Sequence, residues 1–229
     1  MVSLQRLSRD LWVYEESLRF FGFDIGRIMT VIRLSNGELF VQSPAELTAG
    51  LRDDLDDLGD VRYVAPASKL HGHLYMEVYR EAYPDVELFA APGLDVRRPD
   101  LTFDGLLGDT PDPRWGTDVD QTAILGNRWL SEIAFFHWPS RTVILGDIGY
   151  HISRSSPLKT RLMARAIGVY QQVSPPLDYR LTIRNDSTFR RCIRDVLAWD
   201  FDRVIPGHGE IIETGGKQAV IDGYRWLFE

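Results

Sequence analysis

Apolar and polar positions recur with readable periods along much of this chain, and those periods predict its elements. Ile28 to Leu34 and Glu38 to Gln42 are strand-like and enclose Ser35-Asn36-Gly37. Asn-Gly favours the positive φ angles of a tight turn, so the two runs predict a β-hairpin. SPAE follows at 43–46, with Ser43 placed to cap a helix, Pro44 at its first position and Glu46 closing a capping box. Leu47, Leu51, Leu55 and Leu58 then share one helical face up to Gly59, and the acids between them make the wet face.

VRYVAPA (61–67) predicts a strand, LYMEVYREAY (74–83) a helix ended by Pro84, and VELFAA (86–91) a further strand. A strand, loop, helix, strand order of this kind predicts a parallel or mixed sheet with helical cover. EIAFFH (132–137) and RTVILG (141–146) predict a second hairpin through Trp138-Pro139-Ser140. Helices are expected around Leu158 to Tyr170 and where Phe189, Cys192, Ile193, Val196 and Leu197 hold helical spacing, with a strand in DRVIP near the C-terminus. From Pro92 to Asp120 the chain is rich in Gly, Pro and Asp but carries apolar anchors such as Leu101, Phe103 and Trp115. It is expected to run over the surface and form part of a substrate rim, as is 148–180.

Composition narrows the function classes. A chain of 229 residues with 44% hydrophobic content can bury a full core as a single domain spanning 1–229. Acids outnumber bases 33 to 26, giving a net charge of -7. That argues against nucleic acid as a partner, because phosphate binding is driven by Lys and Arg displacing counterions. The basic cluster Arg180, Arg184, Arg190, Arg191 and Arg194 reads as a solvated helix face. Cys192 is the only cysteine, so neither an intrachain disulfide nor a thiolate metal cluster can form. No run approaches the roughly 18 apolar residues of a membrane span, and the N-terminus lacks a continuous apolar stretch. The expectation is a cytoplasmic protein with a small-molecule substrate; oligomeric state stays open.

Three strands deliver ligand-capable side chains at their C-terminal ends: VRYVAPASK leads to His71 and His73, TVILGD to Asp147, and RVIPGHG to His208. Loops gather outside the carboxyl ends of strands in open α/β sheets. Imidazole with carboxylate suits Zn, Fe or Mn in a site that keeps an open position. Singly these signals are weak. His-x-His reads most simply as solvated loop residues, PGHG as a turn with an incidental histidine, and Asp after a strand as turn chemistry. Their combination in this order is what points to a metal.

That order, a His-rich loop, then ILGD, then VIPGHG, resembles the metallo-β-lactamase superfamily over nearly the whole chain. More narrowly, APASKLHGHLYMEVYREAYPDVELFAAPGL, EIAFFHWPSRTVILGD and GRIMTVIRLSNGELFVQSP resemble its DUF4336 branch. The resemblance implies an α/β fold, an αββα sandwich of two mixed sheets flanked by helices. It matches Asp147 to a metal-bridging aspartate, His208 to the last histidine ligand and His71 to a histidine of the first loop. The superfamily pattern H-x-H-x-D-H meets K-L-H-G-H-L here. Without a gap, Lys69 takes the first histidine's place and His73 the aspartate's; with one gap, His73 becomes the last histidine. Asn127 in GNRWLSE stands where another histidine is expected, with Glu132 the nearest strong ligand type.

The expected metal set is therefore His71, His73, Asp147 and His208, holding one or two divalent ions, zinc first and iron or manganese as alternatives. The resemblance implies a metal-dependent hydrolase of a small ester, lactone, thioester or related substrate through a metal-bound water, with Asp147 the catalytic group that orients or deprotonates it. Two alternatives stand beside it: a degenerate, non-catalytic member that binds a small molecule or partner, and an iron-dependent oxidoreductase on the same fold. Glu77, Glu132, Asp200 and Asp202 are candidates to orient the ligands. Lys69 reads as a loop lysine or an anchor for an anionic group. His137 reads as a hairpin cap, His151 as a surface residue, and Trp115, Trp129 and Trp138 as core or rim packing.

Overall fold

The computed structural model describes residues 3–229. Alternate residues of its strands bury in two different environments, and this alternation builds four layers. In the strand Arg27–Arg33, Ile28 and Ile32 join a core with Ile133 and Phe135 of the facing sheet, while Met29 and Val31 pack the other way with Leu51, Leu55 and Tyr79 of helices. In Glu132–His137, Ile133 and Phe135 face that shared core, while Ala134 and Phe136 join Phe189, Ile193 and Val196 of the helix Asp186–Ala198. Strands buried on both faces explain why their sequences read as near-continuous apolar runs. Helix, sheet, sheet, helix is the order of layers.

The first sheet has seven strands in the order Gln5–Ser8, Leu11–Glu16, Arg27–Arg33, Leu39–Gln42, Val61–Ala65, Glu87–Ala90, Gly105–Leu106. It is antiparallel through Leu39–Gln42 and parallel from there onward. The second runs Val119–Ile124, Glu132–His137, Thr142–Ile144, Arg203–Ile205, with only its last pair parallel. Both sheets are mixed, and both expected hairpins form. Among the described residues, no helix is long and apolar enough to cross a membrane.

Several local expectations need correction. The Asn-Gly turn places only Gly37 at positive φ, with the Gly37 amide donating to the Leu34 carbonyl. This is a type I turn followed by a left-handed glycine, the three-residue hairpin loop. Ser43 does not cap a helix. Its φ is +54°, and its amide donates to the Ala65 carbonyl, extending the sheet. The helix Ala49–Leu58 is capped instead by Thr48, whose hydroxyl accepts from the Leu51 amide at 3.2 Å. Trp115 is fully buried between the sheets, but Trp129 and Trp138 are exposed. Arg180 is not on the solvated face. Its guanidinium donates to the carbonyls of Gly168 and Pro175 and lies over Trp226.

Candidate metal centre

Strand ends position the site. Val61–Ala65, Thr142–Ile144 and Arg203–Ile205 end at one edge of the sandwich, and the loops beyond them carry His71, Asp147 and His208. Ser68 organises the first loop: its hydroxyl accepts from the amides of Leu70 and His71, each at 3.0 Å, and lies 3.4 Å from Asp147 Oδ2. The other two loops touch at Gly146 and Gly207. A Cβ on Gly207 would overlap the Gly146 backbone, and one on Gly146 would lie 2.9 Å from the Glu132 carboxyl carbon. Only glycines permit this approach, and it brings Asp147 beside His208.

One nitrogen or oxygen from each of His71, Asp147 and His208 lies within 4.8 Å of the others. His208 Nε2 is 3.2 Å from Asp147 Oδ1, and His71 Nδ1 is 3.4 Å from the same oxygen. The two imidazoles stack with centroids 4.7 Å apart. His208 Nδ1 lies 2.7 Å from the Gly26 carbonyl, which can only accept, so that nitrogen carries the proton. A neutral His208 then offers Asp147 only a lone pair, one acceptor facing another. His71 Nδ1 is likewise buried, with no hydrogen-bond partner among the described residues.

Charge agrees with this geometry. Asp147 is held below the usual range, against burial, by charge and hydrogen bonds from His71 and His208, a stabilisation that neutral imidazoles do not give and that a cation would supply in their place. Burial lowers His208, which disfavours an imidazolium. An ionised carboxylate and converging lone pairs, enclosed and short of a donor, fit a divalent cation.

His73 is set apart from these three. Gly72, at φ +80°, reverses the chain between the two histidines. His73 Nδ1 lies 3.3 Å from the Arg98 guanidinium, which also donates to the His73 carbonyl. A guanidinium only donates, so Nδ1 accepts, and this buried imidazole ties the loop to the segment after Glu87–Ala90. Burial, then Arg98, lowers its pKa.

Glu132 is no member of the trio, yet it holds the site. It is fully buried and accepts from the amides on both sides of Asp147, Gly146 at 2.6 Å and Ile148 at 3.1 Å. Burial, then the Asp147 charge, pushes its own carboxyl well above the ordinary range. Of the other orienting candidates, Asp200 pairs with Arg141 and Asp202 accepts from the Gly215 amide, both away from the centre. Asn127 closes its own loop, accepting from the Trp129 and Leu130 amides and donating to the Tyr179 carbonyl. Lys69 lies beside Gly93. His137 caps its hairpin through Ser140, 2.7 Å away, and His151 Nδ1 donates to the Glu210 carbonyl.

Over the trio opens a cavity of about 610 Å³. Tyr150, tilted over the His208 ring, and Tyr179 line it, as do residues from the 163–181 stretch. No residue of 92–120 does, which corrects half of the expected rim; that segment packs Leu94, Leu101 and Phe103 against the helical side of the first sheet. What sequence reasoning missed is Leu18 to Arg27, where Phe20, Phe21 and Phe23 border the cavity from the two-stranded flap Arg19–Phe20 and Phe23–Asp24. Three phenylalanines within four residues beside a glycine were the available signal.

Comparison with known proteins agrees with this architecture. The family model described as Domain of unknown function (DUF4336) matches residues 9–175. No curated protein sequence matches. Among solved structures, a metallo-β-lactamase from Pontibacter korlensis superposes with a TM-score of 0.67 at 10% identity, covering 98% of this chain and 99% of that one. A metallo-β-lactamase from Hirschia baltica gives 0.63 at 13% identity, covering 99% and 94%. The metal-soaked Flv1 flavodiiron core from Synechocystis sp. PCC6803 gives 0.70 at 10% identity, covering 100% of this chain and 61% of that one. The fold is metallo-β-lactamase-like.

Proposed function

The chain belongs to the DUF4336 family, and on that footing we propose that it is a metal-dependent hydrolase of a small ester, lactone, thioester or related substrate. The observation that carries this reading is the meeting of His71, His208 and an ionised Asp147 with no proton donor between them. A divalent ion held by these three, zinc first with iron or manganese as alternatives, would supply Lewis acidity toward a substrate carbonyl and lower the pKa of water at the centre. Three protein ligands of mixed imidazole and carboxylate type suit a catalytic rather than a closed structural site.

The chain's own groups do the rest. The Gly26 carbonyl fixes the His208 tautomer and keeps Nε2 free to ligate. Asp147, held ionised, is the group that orients the attacking water, since a carboxyl held below its usual range is a weak base. Glu132 clamps the turn that carries it. A substrate that filled the apolar cavity above would displace water from it and strengthen the charge interactions at its floor.

Elemental analysis of protein purified without chelator should find zinc, iron or manganese near one ion per chain. His208→Ala and Asp147→Asn should each remove most of it, and should abolish turnover of ester, lactone and thioester panels. Full metal retention by both variants refutes the assignment. A second reading, a non-catalytic binding protein, draws support from His73 and Asn127, whose bonds are structural where the superfamily pattern has ligands. Protein that stays folded without metal, and whose melting temperature metal does not move, would favour it. The likeness to the flavodiiron core raises iron redox chemistry, which bound iron with visible absorbance would support.

A further inference from the structure

The walls of the cavity over the candidate metal centre are chemically one-sided. They come from distant parts of the chain: Leu18 and Phe23 from the N-terminal flap, Ile28 from the first sheet, Met163 and Ile167 from the helix Leu158–Ile167. Met163 and Ile167 are four residues apart and so share one helical face. Charged groups in the lining are few. Arg27 is bound to Glu16 at 2.7 Å, Asp178 is exposed, and Asp147 lies with the two histidines. Beyond Ser43, Tyr150 and Tyr179, a polar ligand body would leave its donors and acceptors without partners along these walls, at a loss of affinity.

The mouth adds an independent observation. Phe20, Phe21, Leu74, Leu177 and Leu181 are all exposed, Phe21 by 86% and Leu181 by 76%. All five border this same opening. Single apolar side chains scattered over a surface are ordinary, but a ring of them around one mouth marks a binding surface. The volume lies inside the range of small-molecule sites.

Resting on the hydrolase reading, we infer that the substrate is an aliphatic acyl ester or thioester whose unbranched alkyl chain fills this cavity and reaches the Phe20–Phe21 rim. Its carbonyl lies at the floor beside Asp147. An alkyl chain asks for no hydrogen-bond partner, so the sparse polarity of the walls is no obstacle to it. Met163, unbranched and flexible, adapts to a chain that bends. The open, apolar mouth accommodates a chain longer than the cavity itself.

The test uses straight-chain 2-alkanones, which carry a carbonyl but no scissile bond, titrated calorimetrically into the full chain with and without metal. Affinity should rise about fourfold per added methylene from 2-hexanone to 2-decanone. Met163→Glu should weaken 2-decanone at least tenfold while leaving 2-hexanone within threefold. Phe21→Ser, at a position exposed enough to leave the fold intact, should flatten only the last steps of the series; it decides the matter if Met163→Glu does not fold by circular dichroism. A gain below 1.5-fold per methylene, or a folded Phe21→Ser variant with an unaltered series, overturns the inference. The two readings fail separately. A steep series in protein that hydrolyses no ester or thioester with any metal defeats the hydrolase while keeping the acyl cavity. Hydrolysis indifferent to chain length, with a flat series, defeats only the cavity assignment.

Discussion

Glu132→Ala is the perturbation that best separates a designed site from a chance cluster of side chains. The wild-type carboxylate is fully buried and accepts two amide hydrogens, from Gly146 at 2.6 Å and Ile148 at 3.1 Å. Alanine leaves both donors buried and unpaired. Each costs about 1–3 kcal/mol, so the variant should lose about 2–6 kcal/mol. In a chain of this size one kcal/mol moves the melting temperature by roughly 2–4 °C, which gives a fall of about 4–24 °C in a calorimetric scan. The turn that presents Asp147 then loosens, and metal affinity measured by chelator competition should drop about 10–100-fold. Glu132→Gln keeps the shape and one acceptor and should lose about half as much. It also tests the sign of the titration. A carboxyl whose folded pKa is raised contributes stability below its unfolded value near 4.5 and loses it as pH rises toward the folded value. Wild type should therefore lose stability relative to Glu132→Gln as pH increases above about 4.5. An alanine variant melting within 1 °C of wild type would refute the clamp.

The remaining predictions concern residues on either side of the site. His73→Ala should cost about 1–3 kcal/mol, from the lost contact with Arg98, yet leave metal stoichiometry unchanged; loss of metal as complete as in His208→Ala would make His73 a ligand after all. Burial holds His137 down at about 4, against an ordinary 6.5. A depressed imidazole keeps its stability above pH 6.5 and loses it as pH falls toward 4, a span worth roughly 3 kcal/mol at 1.36 kcal/mol per pH unit. Equilibrium unfolding at pH 7 and pH 4 should show that loss in wild type and show it reduced by about that amount in His137→Gln; equal pH dependence in both would contradict it.

Much of the fold was legible because its strands are buried on both faces. IAFF, VIL and LFAA are apolar without interruption, and such runs survive any reading of period. Cys192 and Val196 fell on the correct helical face because the apolar positions of that segment follow the helical period. The two-residue strands Arg19–Phe20 and Phe23–Asp24 are too short to carry any period, so the flap that borders the cavity left only a cluster of phenylalanines in the sequence. Glu132 was visible as an acid in an apolar strand, but whether it ligates or clamps depends on Gly146 and Ile148 arriving from another loop.

The expectations for Ser43 and His73 failed from a shared cause. In an extended chain, residues two apart point the same way, so His71 and His73 would both face the site. The left-handed Gly72 between them cancels that parity. Gly72 packs so tightly on Ser43 that a side chain at 72 would overlap the Ser43 Cα and Cβ, each only 2.9 Å from where its Cβ would sit. Ser43 in turn holds φ at +54°, a costly conformation for a residue with a side chain and one incompatible with the extended backbone of an N-cap. One contact between segments far apart in sequence thus turns the corner after Leu39–Gln42, reverses the histidine loop and selects which imidazole meets Asp147. Local pattern reports what each segment prefers alone. Which imidazole stands beside Asp147 follows from the packing of two loops against each other, and strain of this kind persists where the surrounding fold can hold it.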